Sequence, residues 1–192
     1  MFGVTLQRID LRSAHLRGAR LKYATLVSAD LVRAKLSDAD LSSTRLRFAN
    51  LRRADLHGSD LASANLEKAN LTRANLRDAN LSGAIFKDAH LAGADLTGAN
   101  LFWTDFDHAD LTASAPGYPR SNEEREDYKN LRSVRGLTVE QLEDSFIYRS
   151  TKLPEYLSKN PRILEIIEAC ERQREETRGR AGSSSSENPS AN

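Results

Sequence analysis

Ala54-Asp55-Leu56-His57-Gly58-Ser59-Asp60-Leu61-Ala62-Ser63-Ala64-Asn65-Leu66 shows the pattern that decides the fold: leucine returns every fifth residue. Followed outward, that step runs unbroken from Leu6 to Leu111 and covers twenty-two positions, twenty of them Leu and two Phe (Phe86 and Phe106). Two residues before each sits a small side chain, Ala in most repeats, with Thr44, Ser59 and Thr104 among the exceptions and Val4 and Ile9 at the start. One residue before, Asp or Asn dominates from Asp30 onward. A period of five fits neither the 3.6 of a helix nor the 2.0 of a strand. It is the mark of units that stack on their neighbours.

The unit Ala-(Asp/Asn)-Leu-X-X resembles the pentapeptide-repeat family over about 110 residues. The resemblance implies an all-β repeat, a right-handed quadrilateral parallel β-helix with four pentapeptides per coil. The Leu/Phe position and the small residue two before it then face inward. Twenty-two repeats make about five and a half coils, a rod about 26 Å tall at the inter-strand spacing. A narrow square tube leaves room on each side for one large and one small apolar group at close packing, so Ala is a volume constraint. Burying a leucine contributes roughly 1.5–3 kcal/mol. Asn and Asp are expected at the corners, where they tolerate turn geometry and bond to nearby backbone. Residues twenty apart should stack, so Phe86 and Phe106 are expected ring on ring inside the tube.

At 192 residues, 39% hydrophobic and 29% charged, the chain reads as a soluble protein of one or two domains. No apolar run approaches the roughly 18–20 residues of a membrane span. The start, Met1-Phe2-Gly3-Val4-Thr5, carries no secretory pattern. The single cysteine, Cys170, excludes an internal disulfide and suits a reducing compartment, so a cytoplasmic location is expected.

After Leu111 the period stops, and Ala115-Pro116-Gly117-Tyr118-Pro119 breaks the strand run. Three helices are expected beyond it. The first opens with a capping box at Ser121–Glu124 and places Tyr128, Leu131 and Val134 at helical spacing up to Gly136. The second starts at Thr138-Val139-Glu140-Gln141, carries Leu142, Phe146 and Ile147, and ends before Pro154. The third begins at Asn160-Pro161 and lines up Ile163, Ile166, Ile167 and Cys170, with Leu164 beside them. The expected layout is thus a repeat β-helix over 1–114, an α-helical cap over 115–178 and a disordered tail over 179–192. A cap would block the open last coil from recruiting another strand; helix-mediated homodimerisation is the rival role. The segment Leu137–Leu142 with Thr151-Lys152-Leu153-Pro154 also looks similar to a tail found after the repeats in many bacterial, often cyanobacterial, family members. At the other end, Val4 and Ile9 either plug the tube or leave it open to head-to-head association.

Charge is unevenly spread along the rod. Residues 1–57 carry 11 Lys/Arg and 5 Asp/Glu, whereas residues 58–114 carry 4 and 8. Wrapped four repeats per coil, Arg12, Arg33, Arg52, Arg53 and Arg73 fall on one side, with Arg45 and Arg47 just before the corner. Arg33, Arg53 and Arg73 are twenty apart and form a vertical ladder. Such a stripe serves either solubility or docking of phosphate or an acidic protein face. Val27, Val32 and Phe48 read as exposed apolar residues on or near it, as partner contacts or as isolated surface apolars. Phe102 and Trp103 also read as outward, to be covered by the helices that follow.

Catalysis finds no support. His15, His57, His90 and His108 fall on several sides, lack cysteine partners and match no zinc spacing. No nucleophile elbow, P-loop or dinucleotide fingerprint occurs. Cys170 reads as a small core residue. No metal, cofactor or enzymatic activity is expected. The function is read as a non-catalytic protein-interaction scaffold that binds an acidic or mixed protein surface through its basic N-terminal coils. The alternative, implied by the resemblance, is a DNA mimic that binds DNA gyrase or topoisomerase, as a resistance or immunity protein. Against it, the repeats carry 15 Lys/Arg to 13 Asp/Glu and no long loop breaks their register. Direct nucleic-acid binding along the ladder lacks aromatic platforms for base stacking.

Overall fold

The computed structural model describes residues 3–112 and 134–183, with side chains through 178. Each pentapeptide contributes one ladder residue, one inward Leu or Phe, a two-residue corner and one inward small residue. The ladder joins residues twenty apart in parallel, Asp30 to Asn50 to Asn70 to His90 to Asp110 on one side and Asn65 to Ile85 to Asp105 on another. Four repeats therefore close one coil. A side holds one bridged residue rather than a multi-residue strand, because five residues leave room for no more between corners.

The corners explain the rest of the repeat. From Ala14 to Ala109 the amide of each small residue donates to the Leu or Phe carbonyl three before it, as Ala54 N to Leu51 O at 2.9 Å. The residue just before the small one has positive φ at every repeat from Arg8 to His108, Gly or not. That is the demand of a tight turn with a left-handed third position. The Asp and Asn residues expected at the corners stand instead on the ladder, one residue before Leu. Their side chains reach forward, and Asp30 Oδ1 accepts from Val32 N at 3.2 Å, Asn70 Oδ1 from Thr72 N at 3.0 Å. They shape the corner by bonding it, because a carboxylate or carboxamide spans two residues to an orphan amide.

The core is a column of fully buried Leu and Ala, and Phe86 and Phe106 stack within it at 5.4 Å and 15° as expected. The first coil is less enclosed. Leu6, Ile9, Leu11, Leu16 and Leu21 are only partly buried, and Val4 is 51% exposed.

Past the repeats the fold departs from expectation. The first expected helix and its capping box lie outside the described residues, but Val134, Arg135 and Gly136 do not continue a helix. Val134 N donates to Leu111 O at 3.1 Å, so the chain returns where it left. Arg135 then pairs with Asp95, Phe146 with Asp105 and Lys152 with Asp110, and residues 134–153 lay a further, irregular layer on the tube. Gly136 fits there because it lies at φ 68 and a Cβ would run into Thr97.

The second expected helix shrinks to α1, Val139–Leu142. Its capping box is present, with Thr138 Oγ1 accepting from Gln141 N at 3.2 Å and Gln141 Oε1 from Thr138 N at 3.0 Å. The Gln141 side chain also donates to Leu96 O and Ala99 O, closing carbonyls of the last regular coil. Phe146 and Ile147 leave the helix because the open coil edge offers better partners: Phe146 N donates to Thr104 O and Phe106 N to Phe146 O.

Two further helices follow, α2 (Glu155–Ser158) and α3 (Pro161–Ser183). Asn160 Oδ1 caps α3 by accepting from Arg162 N at 2.9 Å. Ile163, Ile166 and Cys170 of α3 are buried in the common core, whereas Leu164 faces out. Among the described residues no helix is long and apolar enough to cross a membrane.

Candidate interaction surface

Arg33, Arg53 and Arg73 do stand one above another, since their ladder neighbours Asp30, Asn50 and Asn70 are in register. Their surroundings differ from those of a bare stripe. Arg12, Arg33, Arg52, Arg53 and Arg73 are each engaged in an interaction within the chain. Arg12 grips its own ladder residue, donating from Nε and Nη2 to Asp10 at 3.0 and 2.8 Å, and this holds the Asp10 carboxyl down at about 2. Arg52 and Val32, expected outward, are 3% and 6% exposed. They belong to one column, in which Val32, Arg52, Thr72 and Ala92 are buried in four successive coils above an exposed Arg12. A position that points out of the repeat is therefore not always a position that meets water.

Exposure concentrates at the neighbouring corner. Phe48 is 49% exposed at a left-handed position, φ 60, with the Arg47 guanidinium 5.3 Å and the Lys68 ammonium 5.7 Å from its ring centre. Arg47 donates to Glu67 at 2.9 Å, and that hydrogen bond lowers the Glu67 carboxyl pKa. Arg45 is exposed and Val27 half-buried in the coil below. Tyr23, 51% exposed, repeats the motif at another corner with Lys22 Nζ at 5.2 Å. Of these, the sequence reading named Phe48, Arg45, Arg47 and Val27 and did not name Tyr23, Lys22 or Lys68. An aromatic at the left-handed corner position preceded by a cation was the signal available.

The C-terminal end is built around carboxylates. Asp107, 5% exposed, accepts from Ser150 Oγ at 2.7 Å and from both Arg174 terminal nitrogens at 3.2 and 3.0 Å. Burial would raise its pKa, yet the hydroxyl and the guanidinium outweigh this and hold it low. Arg174 also lies over the Tyr148 ring, 4.7 Å from its centre, and so pins α3 to the last coil. Lys152 Nζ binds Asp110 at 3.1 Å and Arg135 binds Asp95 at 3.1 Å. Phe102 and Trp103, expected under the helices, stack on each other at 4.9 Å and remain 46% and 62% exposed. The helices pack beside them, with α3 held by Asp107 and the core, not over them.

Among the described residues no three His, Cys, Asp or Glu side chains gather to hold a metal. His57 and His108 sit beside single aspartates, and burial pushes the His90 imidazole pKa down. Burial likewise pushes the Cys170 thiol up, away from the reactive thiolate.

Comparison with known proteins bears on the whole rod. Residues 1–38, 39–78 and 74–112 match the profile of pentapeptide repeats. A pentapeptide repeat protein (Rfr23) of the cyanobacterium Cyanothece 51142 is 34% identical over 48% of this chain and 80% of its own, with a TM-score of 0.43. HetL of Nostoc sp. strain PCC 7120, a pentapeptide repeat protein involved in heterocyst differentiation regulation, is 35% identical over 58% of this chain and 51% of its own, TM-score 0.35. Another pentapeptide repeat protein of Nostoc PCC 7120 is 25% identical over 68% and 84%, TM-score 0.46. Among curated proteins nothing matches. With the profile covering the regular coils from end to end and the five-residue register seen in every one of them, this chain belongs to the pentapeptide-repeat family.

Proposed function

We propose that this chain is a non-catalytic, cytoplasmic protein-interaction scaffold, a right-handed four-sided rod that takes an acidic or mixed protein surface on its N-terminal coils. The observation that carries the reading is the Phe48 corner: a half-exposed aromatic between Arg47 and Lys68, in the basic half of the rod. An aromatic ring supplies apolar area at low entropic cost, and the flanking cations select acidic partners and speed encounter. Arg33 and Arg45, both exposed, extend the positive field around it. The stacked ladder contributes field more than contacts, because its arginines are already engaged.

The test is an affinity capture from cell extract with the wild-type rod and with Phe48→Ser/Arg45→Glu/Lys68→Glu, checked for an unchanged circular dichroism spectrum. A protein held by wild type, lost with the variant and recovered as a purified pair is the expected result. Partners captured equally by both would overturn the assignment to this corner.

A further inference from the structure

Trp103 is the only tryptophan in the chain and, among the described residues, the most exposed large apolar one. It occupies a left-handed corner, φ 54, where a bulky side chain is strained and glycine would be at ease. Phe102 stacks on one face of the indole at 19°, so only the other face is open to a visitor. Trp103 N donates to Asp144 O at 2.7 Å, which fixes the Glu143-Asp144 segment beside it.

A cavity of about 380 Å³ opens at this point between the Phe102–Trp103 corner of the tube and α3. Its apolar wall comes from Trp103, Phe146, Ile166 and Cys170. Among the described residues, its charged lining is Glu143, Asp144 and Glu165 against Arg162. Arg162 is spoken for, donating to Glu143 at 3.3 Å and to Glu165 at 3.1 Å. Three carboxylates to one guanidinium leave a negative surplus around an open indole face.

We propose that this groove docks a basic segment of a partner protein, with an arginine or lysine stem laid on Trp103 and its cationic head among Asp144, Glu143 and Glu165. A cation over indole is the strongest of the cation–aromatic pairs. Charge complementarity excludes an acidic occupant, and an apolar helix would leave the carboxylates desolvated and unpaired. The site lies near the C-terminal end of the rod, whereas the Phe48 corner stands in the third coil, and the two share no residue. One rod would then hold an acidic surface on its N-terminal half and a basic segment near its C-terminal end.

Trp103 is its own reporter. A capped tetra-arginine peptide titrated into the full chain should change the tryptophan emission saturably, and tetraglutamate should not. Asp144→Asn, whose carboxylate takes no part in the Arg162 pairs, should raise the Kd several-fold, and Glu143→Gln/Asp144→Asn/Glu165→Gln by about tenfold or more. With a fluorescein-labelled peptide followed by anisotropy, Trp103→Ser should raise the Kd by about fivefold or more. Arg45→Gln/Lys68→Gln at the Phe48 corner should leave it unchanged, so the two readings fail separately. No saturable response, equal response to tetraglutamate, or full affinity in the folded triple variant would overturn the proposal. Self-association of the chain that the same carboxylate variants abolish would overturn the assignment to a separate partner.

Discussion

Phe86 and Phe106 replace leucine at two core positions twenty residues apart, and their rings lie 5.4 Å from centre to centre with both side chains fully buried. The register places Leu66 before them and Ile147 after them in the same column. Each ring therefore has an aliphatic neighbour on one side and an aromatic one on the other. Truncating either to alanine should cost about 3–5 kcal/mol, the range for a buried phenylalanine. Replacement by leucine, the residue of the other twenty repeats, isolates the ring–ring part. In the cycle Phe86→Leu, Phe106→Leu and both together, the coupling should be about 0.5–1.5 kcal/mol, the value of a stacked pair beyond its area. At about 2–4 °C per kcal/mol for a chain of this size, that is a non-additivity of about 1–6 °C in Tm. Urea unfolding followed by circular dichroism and by Trp103 emission gives the same cycle with a global and a local probe. Single effects that add to the double within about 0.3 kcal/mol in both probes would refute the contribution of stacking.

Three further outcomes follow from the geometry. Arg174→Met should weaken the docking of α3 by about 1–3 kcal/mol, since it removes two charge-assisted bonds from a carboxylate that keeps Ser150 and Lys87; faster labelling of the buried Cys170 by a thiol reagent reads it directly. Asp95, Asp107 and Asp110 all have folded pKa values held low by hydroxyl and cation partners in spite of burial, so each adds stability above its unfolded value of about 3.9 and loses it as pH falls through the folded one. Asp105, raised by burial, acts in the opposite sense, three against one. Acid titration should thus release the C-terminal layer, seen as cysteine labelling or hydrogen exchange in α3, before the regular coils melt. Finally, Gly18→Ala places a methyl in open space at φ 65 and should cost only the left-handed penalty, about 1–2 kcal/mol, whereas Gly136→Ala also meets Thr97 and should cost clearly more by chemical denaturation.

The five-residue period by itself marked a stack of repeats with an inward Leu and an inward small residue in each, and the resemblance to the pentapeptide-repeat family implied the four-sided wrapping. The twenty-residue register and the phenylalanine stack follow from that wrapping, and the start of α3 at Asn160-Pro161 from local pattern. What the pattern could not tell was decided by contacts between residues far apart in the chain. Residues 134–153 carry a helical spacing of apolar groups, yet the unpaired edge of the last coil recruits Arg135, Phe146 and Lys152 as ladder residues and leaves a helix of four. Arg174 meets Asp107 across 67 residues, a pairing no local window contains. The surface was the least legible part. Val32 and Phe48 both stand at outward corner positions, and only the tertiary structure buries the first and opens the second, because solvent contact depends on what else lies against a face and the repeat specifies only which way a side chain points.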